Sequence, residues 1–242
     1  MYSKLLKVTY LNFILAVLVL LSLCASCSQN TKTDWEKFEV AGKVKSYTEY
    51  HYEVKLEEGK WVQGELSSLG SHINYFDAQG NYTHRDIFDI DNNFIEKILV
   101  KKEGRKLVEE VIYDANEQVI GKISIEEDTN DKMVYSTFDK DGYITSKGTL
   151  HYKNNKLHRQ DIKIFSDDGD TRRIVSVFKH NDAGNLSHQI GLGQQGDTTN
   201  ILKYEYETFD ARNNWTKRLD YPFKGIDSPD KIVIRTYEYY ED

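Results

Sequence analysis

Tyr75-Phe76-Asp77-Ala78-Gln79-Gly80-Asn81 joins an aromatic pair to an Asp-x-x-Gly-Asn turn. An Asp at the head of such a turn accepts a hydrogen bond from the backbone N–H two residues on. The residues after it make a type I turn, and Gly takes positive φ to close a hairpin with a bulge. The device recurs at Asp89-Ile90-Asp91-Asn92-Asn93, Lys102-Glu103-Gly104, Asp139-Lys140-Asp141-Gly142 and Lys153-Asn154-Asn155. It returns at Ser166-Asp167-Asp168-Gly169, Asn181-Asp182-Ala183-Gly184-Asn185 and Asp210-Ala211-Arg212-Asn213-Asn214. The left-handed slot therefore falls on Gly80, Asn92, Gly104, Gly142, Asn155, Gly169, Gly184 and Asn213. Asn shares it with Gly because its short polar side chain tolerates that conformation. Asp114-Ala115-Asn116-Glu117 carries Glu in the slot and is read as a different loop.

Between the turns lie strand-length segments with period-2 alternation, as in Tyr204-Glu205-Tyr206-Glu207 and Ile162-Lys163-Ile164. Seventeen tyrosines favour strands, and only two prolines, Pro222 and Pro229, interrupt them. The expected fold is all-β: an antiparallel meander of roughly a dozen strands. So wide a sheet should curl or close into a barrel, because closure removes two exposed edges. Residues 47–54 and 231–240 are then the first and last strands, paired or nearly so. Residues 95–100 have apolar side chains on both faces, which also suits a two-layer β-sandwich.

The start of the chain has a different character. Lys4 and Lys7 precede an apolar run over 8–23, and Leu23-Cys24-Ala25-Ser26-Cys27 follows. A basic start, an apolar run too short to span a bilayer and small residues before a cysteine resemble a bacterial lipoprotein leader. The resemblance implies cleavage before Cys27, a diacylglyceryl thioether on that residue and an added N-acyl chain. It divides the chain into a signal peptide (1–26), a short tether (27–38) and a β domain (39–242). Ser28 after the cysteine, in place of Asp, implies an outer-membrane lipoprotein of a Gram-negative envelope. The tether residues 28–33 reach about 20 Å when extended, so the domain should sit close to the membrane.

Composition narrows the functional classes. Without Lys4 and Lys7 the basic residues fall from 32 to 30 against 39 acidic ones, a net charge near −9. That balance argues against nucleic acid as a partner and against electrostatic attraction to anionic lipid. Cys24 and Cys27 are the only cysteines, so the β domain has no disulfide, cysteine nucleophile or Cys-bearing zinc site.

The unit aromatic-Asp-x-x-Gly-Asn at 75–81 resembles the YD (RHS-type) repeat. The opening Ala41-Gly42-Lys43-Val44-Lys45-Ser46-Tyr47 and the closing Asn213-Asn214-Trp215-Thr216-Lys217-Arg218 resemble those of bacterial envelope lipoproteins with YD-like repeats. The resemblance spans roughly 40–240 and implies strand-and-turn architecture; the chain is too short for the large shells of toxin-bearing members.

Chemistry is sparsely marked. The Asp-x-Asp pairs at 89–93 and 139–142 resemble fragments of calcium loops, but neither has the glycine and distant Glu in register. They read as turn-capping aspartates. His51, His72, His84, His151, His158, His180 and His188 are scattered, with no His-Glu-x-x-His element. His151 and His158 flank the Asn155 turn and could face each other across a hairpin. Gly191-Leu192-Gly193-Gln194-Gln195-Gly196 matches a dinucleotide fingerprint by letters alone and is read as a hairpin loop. Acidic pairs such as Glu109-Glu110 and Glu126-Glu127 leave a glycosidase-type carboxylate pair open. No cofactor or metal is expected.

Tyr47, Tyr50, Tyr52, Tyr204, Tyr206, Tyr237 and Tyr239 gather in the first and last strands. They suit cross-strand packing, or an aromatic surface for a glycan or peptide. The leading expectation is a membrane-anchored, non-catalytic binding or scaffold module, with a glycan, a peptide or an envelope protein as partner. One rival is a carrier of a lipid or other apolar ligand inside a curled sheet. The other is a hydrolase with a dispersed carboxylate site. The interior separates them: filled for a scaffold, an apolar cavity for a carrier, a two-carboxylate cleft for a hydrolase.

Overall fold

The computed structural model describes residues 33–242 except Arg105, Asp167, 223–226 and Asp242; the leader and Cys27 lie outside the described residues. A single helical turn, α1 (Asp34–Lys37), precedes the strands β1 (Val44–Glu57), β2 (Lys60–Phe76), β3 (Tyr82–Phe88), β4 (Phe94–Glu103) and β5 (Lys106–Asp114). The strands continue as β6 (Val119–Asp128), β7 (Lys132–Asp139), β8 (Ile144–Lys153), β9 (Lys156–Phe165) and β10 (Thr171–His180). The last are β11 (Leu186–Leu192), β12 (Thr198–Phe209), β13 (Trp215–Tyr221) and β14 (Lys231–Tyr239).

All 14 strands form one closed antiparallel barrel, each strand beside its sequence neighbours and β1 beside β14. The two-layer sandwich is not formed. Tight hairpins leave every strand next to the one before it, so the sheet has only two free edges, and those pair with each other. The seam runs from Val44↔Tyr239 to Glu53↔Lys231, and Glu49 stands directly across from Arg235.

The turns follow the repeated Asp device. Asp77 Oδ1 accepts the N–H groups of Gln79 (2.9 Å) and Asn81 (2.8 Å), and Asp89, Asp114, Asp139 and Asp210 repeat the pattern. Each carboxylate thus satisfies the N–H two residues on and also the one four residues on. Gly80, Asn92, Gly104, Gly142, Asn155, Gly169, Gly184 and Asn213 all have positive φ. Two sequence readings need correction. Glu117 adopts φ 61° in the same turn as the others, because Asp114 imposes the hydrogen bonds whatever occupies the slot. Gly191 and Leu192 belong to β11, and the loop is only 193–197, closed by the Gly193 N–H to the Asp197 carbonyl at 2.8 Å.

The chain enters β1 and leaves β14 at one mouth, here called lower. Residues 33–42, part of which the sequence assigned to a tether, pack across that mouth. Trp35 and Phe38 are the reason: both need an apolar partner. Trp35 Nε1 donates to the Val44 carbonyl (2.7 Å), and its ring lies over Gly80, where a Cβ would meet it at 2.5 Å. Phe38 meets Phe76 edge-on at 5.2 Å and Tyr82 at 4.7 Å. The buried cluster of Val40, Val44, Tyr47, Phe76 and Tyr82 forms here. Polar ties finish the span: Asp34 with Lys102, Lys37 with Asp128 (3.5 Å), Glu39 with Lys156 (3.4 Å). Asn214, in the turn before β13, receives the Ala41 N–H at 2.6 Å and donates back to the Ala41 carbonyl at 2.8 Å.

Candidate functional site: the barrel interior

Alternation along each strand sends one set of side chains inward and the other outward. The outer set mixes apolar residues such as Leu99, Val111 and Ile201 with charged ones. Lys97 meets Asp86 (3.7 Å), Lys122 meets Glu109 (3.8 Å), and Arg173 Nε donates to Asp161 (2.9 Å), each pair crossing between neighbouring strands. Lys147 and Lys163 add further outward charge. A membrane-spanning barrel presents an apolar outer band about 25 Å tall, and charges at its midplane are costly.

The interior is the unusual part. An eight-stranded barrel is filled by its own side chains, whereas barrels of sixteen or more strands enclose a channel. Fourteen strands fall between, and the two halves of this barrel solve the problem differently.

The half made by β1, β2 and β12–β14 is filled with rings and paired charges. Arg235 Nε donates to Glu49 Oε2 at 2.6 Å across the seam, and Arg218 makes a two-point contact with Asp220 at 2.6 and 2.9 Å. The guanidiniums lie over the Trp215 ring, 3.9 Å away for Arg235 and 4.9 Å for Arg218. Burial would raise the Glu49 carboxyl, but the Arg235 guanidinium and a hydrogen bond from His51 hold it well below the usual carboxylate range. Burial lowers His72 to about 4; Glu49 pulls it back up, and Arg85, His51 and Arg235 push it down, so the ring is neutral at pH 7.

The half made by β4–β9 is left open. A chamber of about 470 Å³ lies against it, floored by Asp34, Lys37 and Phe38 of the N-terminal segment. Its walls include Val100, Ile123, Ile125, Met133, Leu150 and Tyr152, with Lys102, Glu110, Thr137, Ser146 and Gln160 among the polar members. Gly121 and Gly148 occupy inward positions on β6 and β8. Gly148 makes room for the Tyr135 ring, which a Cβ there would meet at 2.2 Å. Inward residues near the upper rim, such as Arg172 and Asn200, are exposed, while Tyr47 and Glu49 near the lower mouth are buried. The interior therefore meets solvent at the upper end.

Between the halves stands Arg85 on β3. Its Nε donates to Asn74 Oδ1 at 2.8 Å, and its guanidinium bonds the Tyr82 hydroxyl. Asn74 is fully buried, and its Nδ2 has no hydrogen-bond partner among the described residues. A buried polar group without a partner costs about 1–3 kcal/mol. Glu110 faces the chamber nearby; burial raises its pKa and Arg85 only partly offsets this.

The sequence candidates are distributed across this plan. Tyr47, Tyr204, Tyr206 and Tyr237 point inward and pack among the charges, with Tyr47 and Tyr237 5.9 Å apart. Burial pushes Tyr204, Tyr206 and Tyr237 up to about 12, so they are neutral hydroxyls at pH 7. Tyr239 bonds Asp210 at the lower mouth. Tyr50 and Tyr52 stack on each other at 6.2 Å and remain half-buried. The tyrosines thus divide among the interior, the lower mouth and, for Tyr50 and Tyr52, the outer face of β1.

His151 stands opposite Arg159 in the ladder, not opposite His158, because the β8–β9 hairpin sets the register. Glu109 and Glu110 point to opposite faces, as adjacent strand residues must; Glu109 meets outward lysines while Glu110 lines the chamber. Glu126 accepts from Ser136 (2.6 Å), and Glu127 pairs with Lys132 (2.6 Å). Neither acidic pair makes a two-carboxylate cleft.

The group with metal-ligand character among the described residues is Glu49, His51 and His72, whose donor atoms lie within 4.8 Å of one another. Two histidines and a carboxylate can hold a divalent cation. Here Arg235 already occupies Glu49 Oε2. A cation would sit beside that guanidinium, which makes the cluster a poor cation site. The sequence passed over the interior residues Arg85, Asn74, Arg218 and Arg235. Their inward charges share a strand face with apolar residues, a pattern that suits a solvent face equally well.

The fold and interior define a closed antiparallel barrel with ion pairs on its outer wall and a partly apolar chamber within. No protein-family model matches the chain, and no curated protein matches it. Among solved structures it is similar to the crystal structure of a porin-like protein from Bacteroides uniformis. That likeness has a TM-score of 0.46 at 12% identity and covers 82% of this chain and 99% of the other.

Proposed function

We propose that this protein is a lipid-anchored envelope protein that carries a small apolar or amphipathic ligand inside its barrel. The chamber of about 470 Å³ carries this reading. Pockets of that size, lined by apolar side chains with a few polar groups, suit small-molecule ligands. The ion pairs on the outer wall support a body that stands in water and is held by lipid, rather than one that crosses the bilayer by its strands.

Two measurements test this. The first titrates the domain after residue 26 with the neutral fluorophore N-phenyl-1-naphthylamine. Saturable binding of one probe per chain is expected. Leu150→Trp, which fills the chamber, should weaken it by at least about tenfold, whereas the exposed, outward Leu99→Trp should not. Absence of saturable binding, or equal loss in both variants, would overturn the carrier reading. The second concerns the anchor. Cys27→Ser should release the protein from the membrane fraction or leave its leader uncleaved. A variant that is cleaved yet still membrane-bound would rule the lipid anchor out.

A further inference from the structure

We infer that the chamber takes an apolar molecule with an amine head, its ammonium group received by the Glu110 carboxylate. This rests on the carrier reading and adds the chemistry of the ligand. Val100, Glu110, Ile123, Thr137 and Ser146 are successive ladder partners from β4 to β8. All five line the chamber, so one inner-face row crosses its wall, and Glu110 carries the only charge in that row. Its carboxylate makes no hydrogen bond and no ion pair with another described residue. A carboxylate withdrawn from water without a partner is costly, and a cation that donates hydrogen bonds to it offsets that cost. Arg85 is the cation whose charge Glu110 feels, but it bonds Asn74 and Tyr82 and makes no ion pair with Glu110. An ammonium on the chamber side can touch the carboxylate, and the attraction grows as the separation shrinks.

The other charges that line the chamber are Asp34, Lys37 and Lys102, and these are already matched. Lys102 bonds Asp34, and Lys37 lies 3.5 Å from Asp128 and 3.9 Å from Asp34. Asp34 also accepts the Tyr82 N–H at 2.7 Å. An anionic head at either lysine would have to displace an acid in place, and Glu110 would repel it. Ile125, Met133 and Leu150 follow on the strands of the Glu110 row, one or two inward steps nearer the lower mouth. A ligand with its amine at Glu110 therefore lays its chain on these residues above Phe38, with its head towards the open upper end.

The test displaces bound N-phenyl-1-naphthylamine with dodecylamine, dodecanol or dodecanoate, which share a chain and differ in the head. It is run at neutral pH and physiological salt, where exposed charges are screened. Dodecylamine, protonated under these conditions, should displace the probe at a concentration at least about tenfold lower than dodecanol, and dodecanoate should do no better than dodecanol. Glu110→Gln keeps the shape and removes the charge. It should bring amine and alcohol to within about twofold of each other with probe affinity unchanged. Glu110→Met should act in the same direction, even if the Gln variant fails to fold. Glu109 points outward, so Glu109→Gln makes the same change in net charge and should keep the amine's advantage. If the native protein binds the probe but treats amine and alcohol alike, this inference fails and the carrier reading stands. An amine preference that survives the Glu110 variants, or falls equally in Glu109→Gln, also overturns it. Tightest binding by dodecanoate would overturn it too, by giving the head to Lys37 or Lys102. No probe binding at all overturns the carrier reading, and this one with it.

Discussion

Arg235→Leu is expected to destabilise the barrel by roughly 3–5 kcal/mol, the usual cost of removing one partner from a buried ion pair. The Glu49 side chain is only 9% exposed, and Arg235 is its guanidinium partner across the β1–β14 seam. Without Arg235, the charge that Glu49 holds at neutral pH has lost the group that keeps its pKa low. Trp215 would also lose the guanidinium packed 3.9 Å from its ring. In a domain of this size the loss corresponds to a fall in Tm of roughly 10 °C or more. Urea unfolding followed by tryptophan fluorescence measures it. The double variant Glu49→Gln/Arg235→Met should recover most of the loss, because no uncompensated charge then remains. A single-variant loss below about 1 kcal/mol would show that the seam does not depend on this pair.

The ion pair also has a directional role. Glu49 faces Arg235, Tyr47 faces Tyr237, and outward Lys45 meets Glu238 at 3.4 Å. A slip of one residue would turn each inward group outward, so the charges select the register that closes the barrel.

Acid should weaken the fold before the carboxylates titrate. His72 has its pKa lowered from 6.5 to about 4. Between those values the unfolded chain binds a proton that the folded chain refuses, so stability falls as pH falls through this window. The shift corresponds to roughly 3 kcal/mol when complete near pH 4. His84 and His180 are lowered in the same sense and add to the slope. Glu49, with its folded pKa depressed, contributes stability that is present above about 4.5 and is lost only as pH falls through its folded value, below the His72 window. His72→Gln should therefore flatten the dependence of unfolding free energy on pH between 6.5 and 4. A slope unchanged by that substitution would mean that His72 is not held neutral.

The periodic Asp-x-x-Gly/Asn turns were sufficient to show an all-β meander, because each turn is closed by hydrogen bonds within five residues of sequence. Local chemistry of that kind does not depend on what lies across the barrel. Even Glu117, which looked like an exception, obeys it, since the governing residue is Asp114 at the head of the turn. The sandwich alternative could not be dismissed from residues 95–100 alone, because apolar side chains on both strand faces suit either architecture.

The candidate site was not legible in the same way. Strand alternation in the sequence separates two faces but does not say which of them points inward. In β14, Arg235 faces inward and Ile234 outward, the reverse of what polarity suggests. Only closure assigns the faces, because it gathers Glu49, Asn74, Arg85, Arg218 and Arg235 from strands far apart in the chain. Trp35 and Phe38 were read as tether for a related reason: a short segment shows no periodicity, and its burial depends on the mouth it crosses.

What the sequence determined by itself is the set of short-range decisions: where each strand ends, how each turn is made, and that successive strands pair antiparallel. What the tertiary structure decided is the long-range part: the pairing of β1 with β14, the N-terminal segment laid across the lower mouth, and a chamber on one wall beside paired charges on the other. The physical reason is range. A turn is fixed by hydrogen bonds between near neighbours, whereas a cavity is fixed by the number of strands and by which side chains closure leaves facing an interior too wide for them to fill.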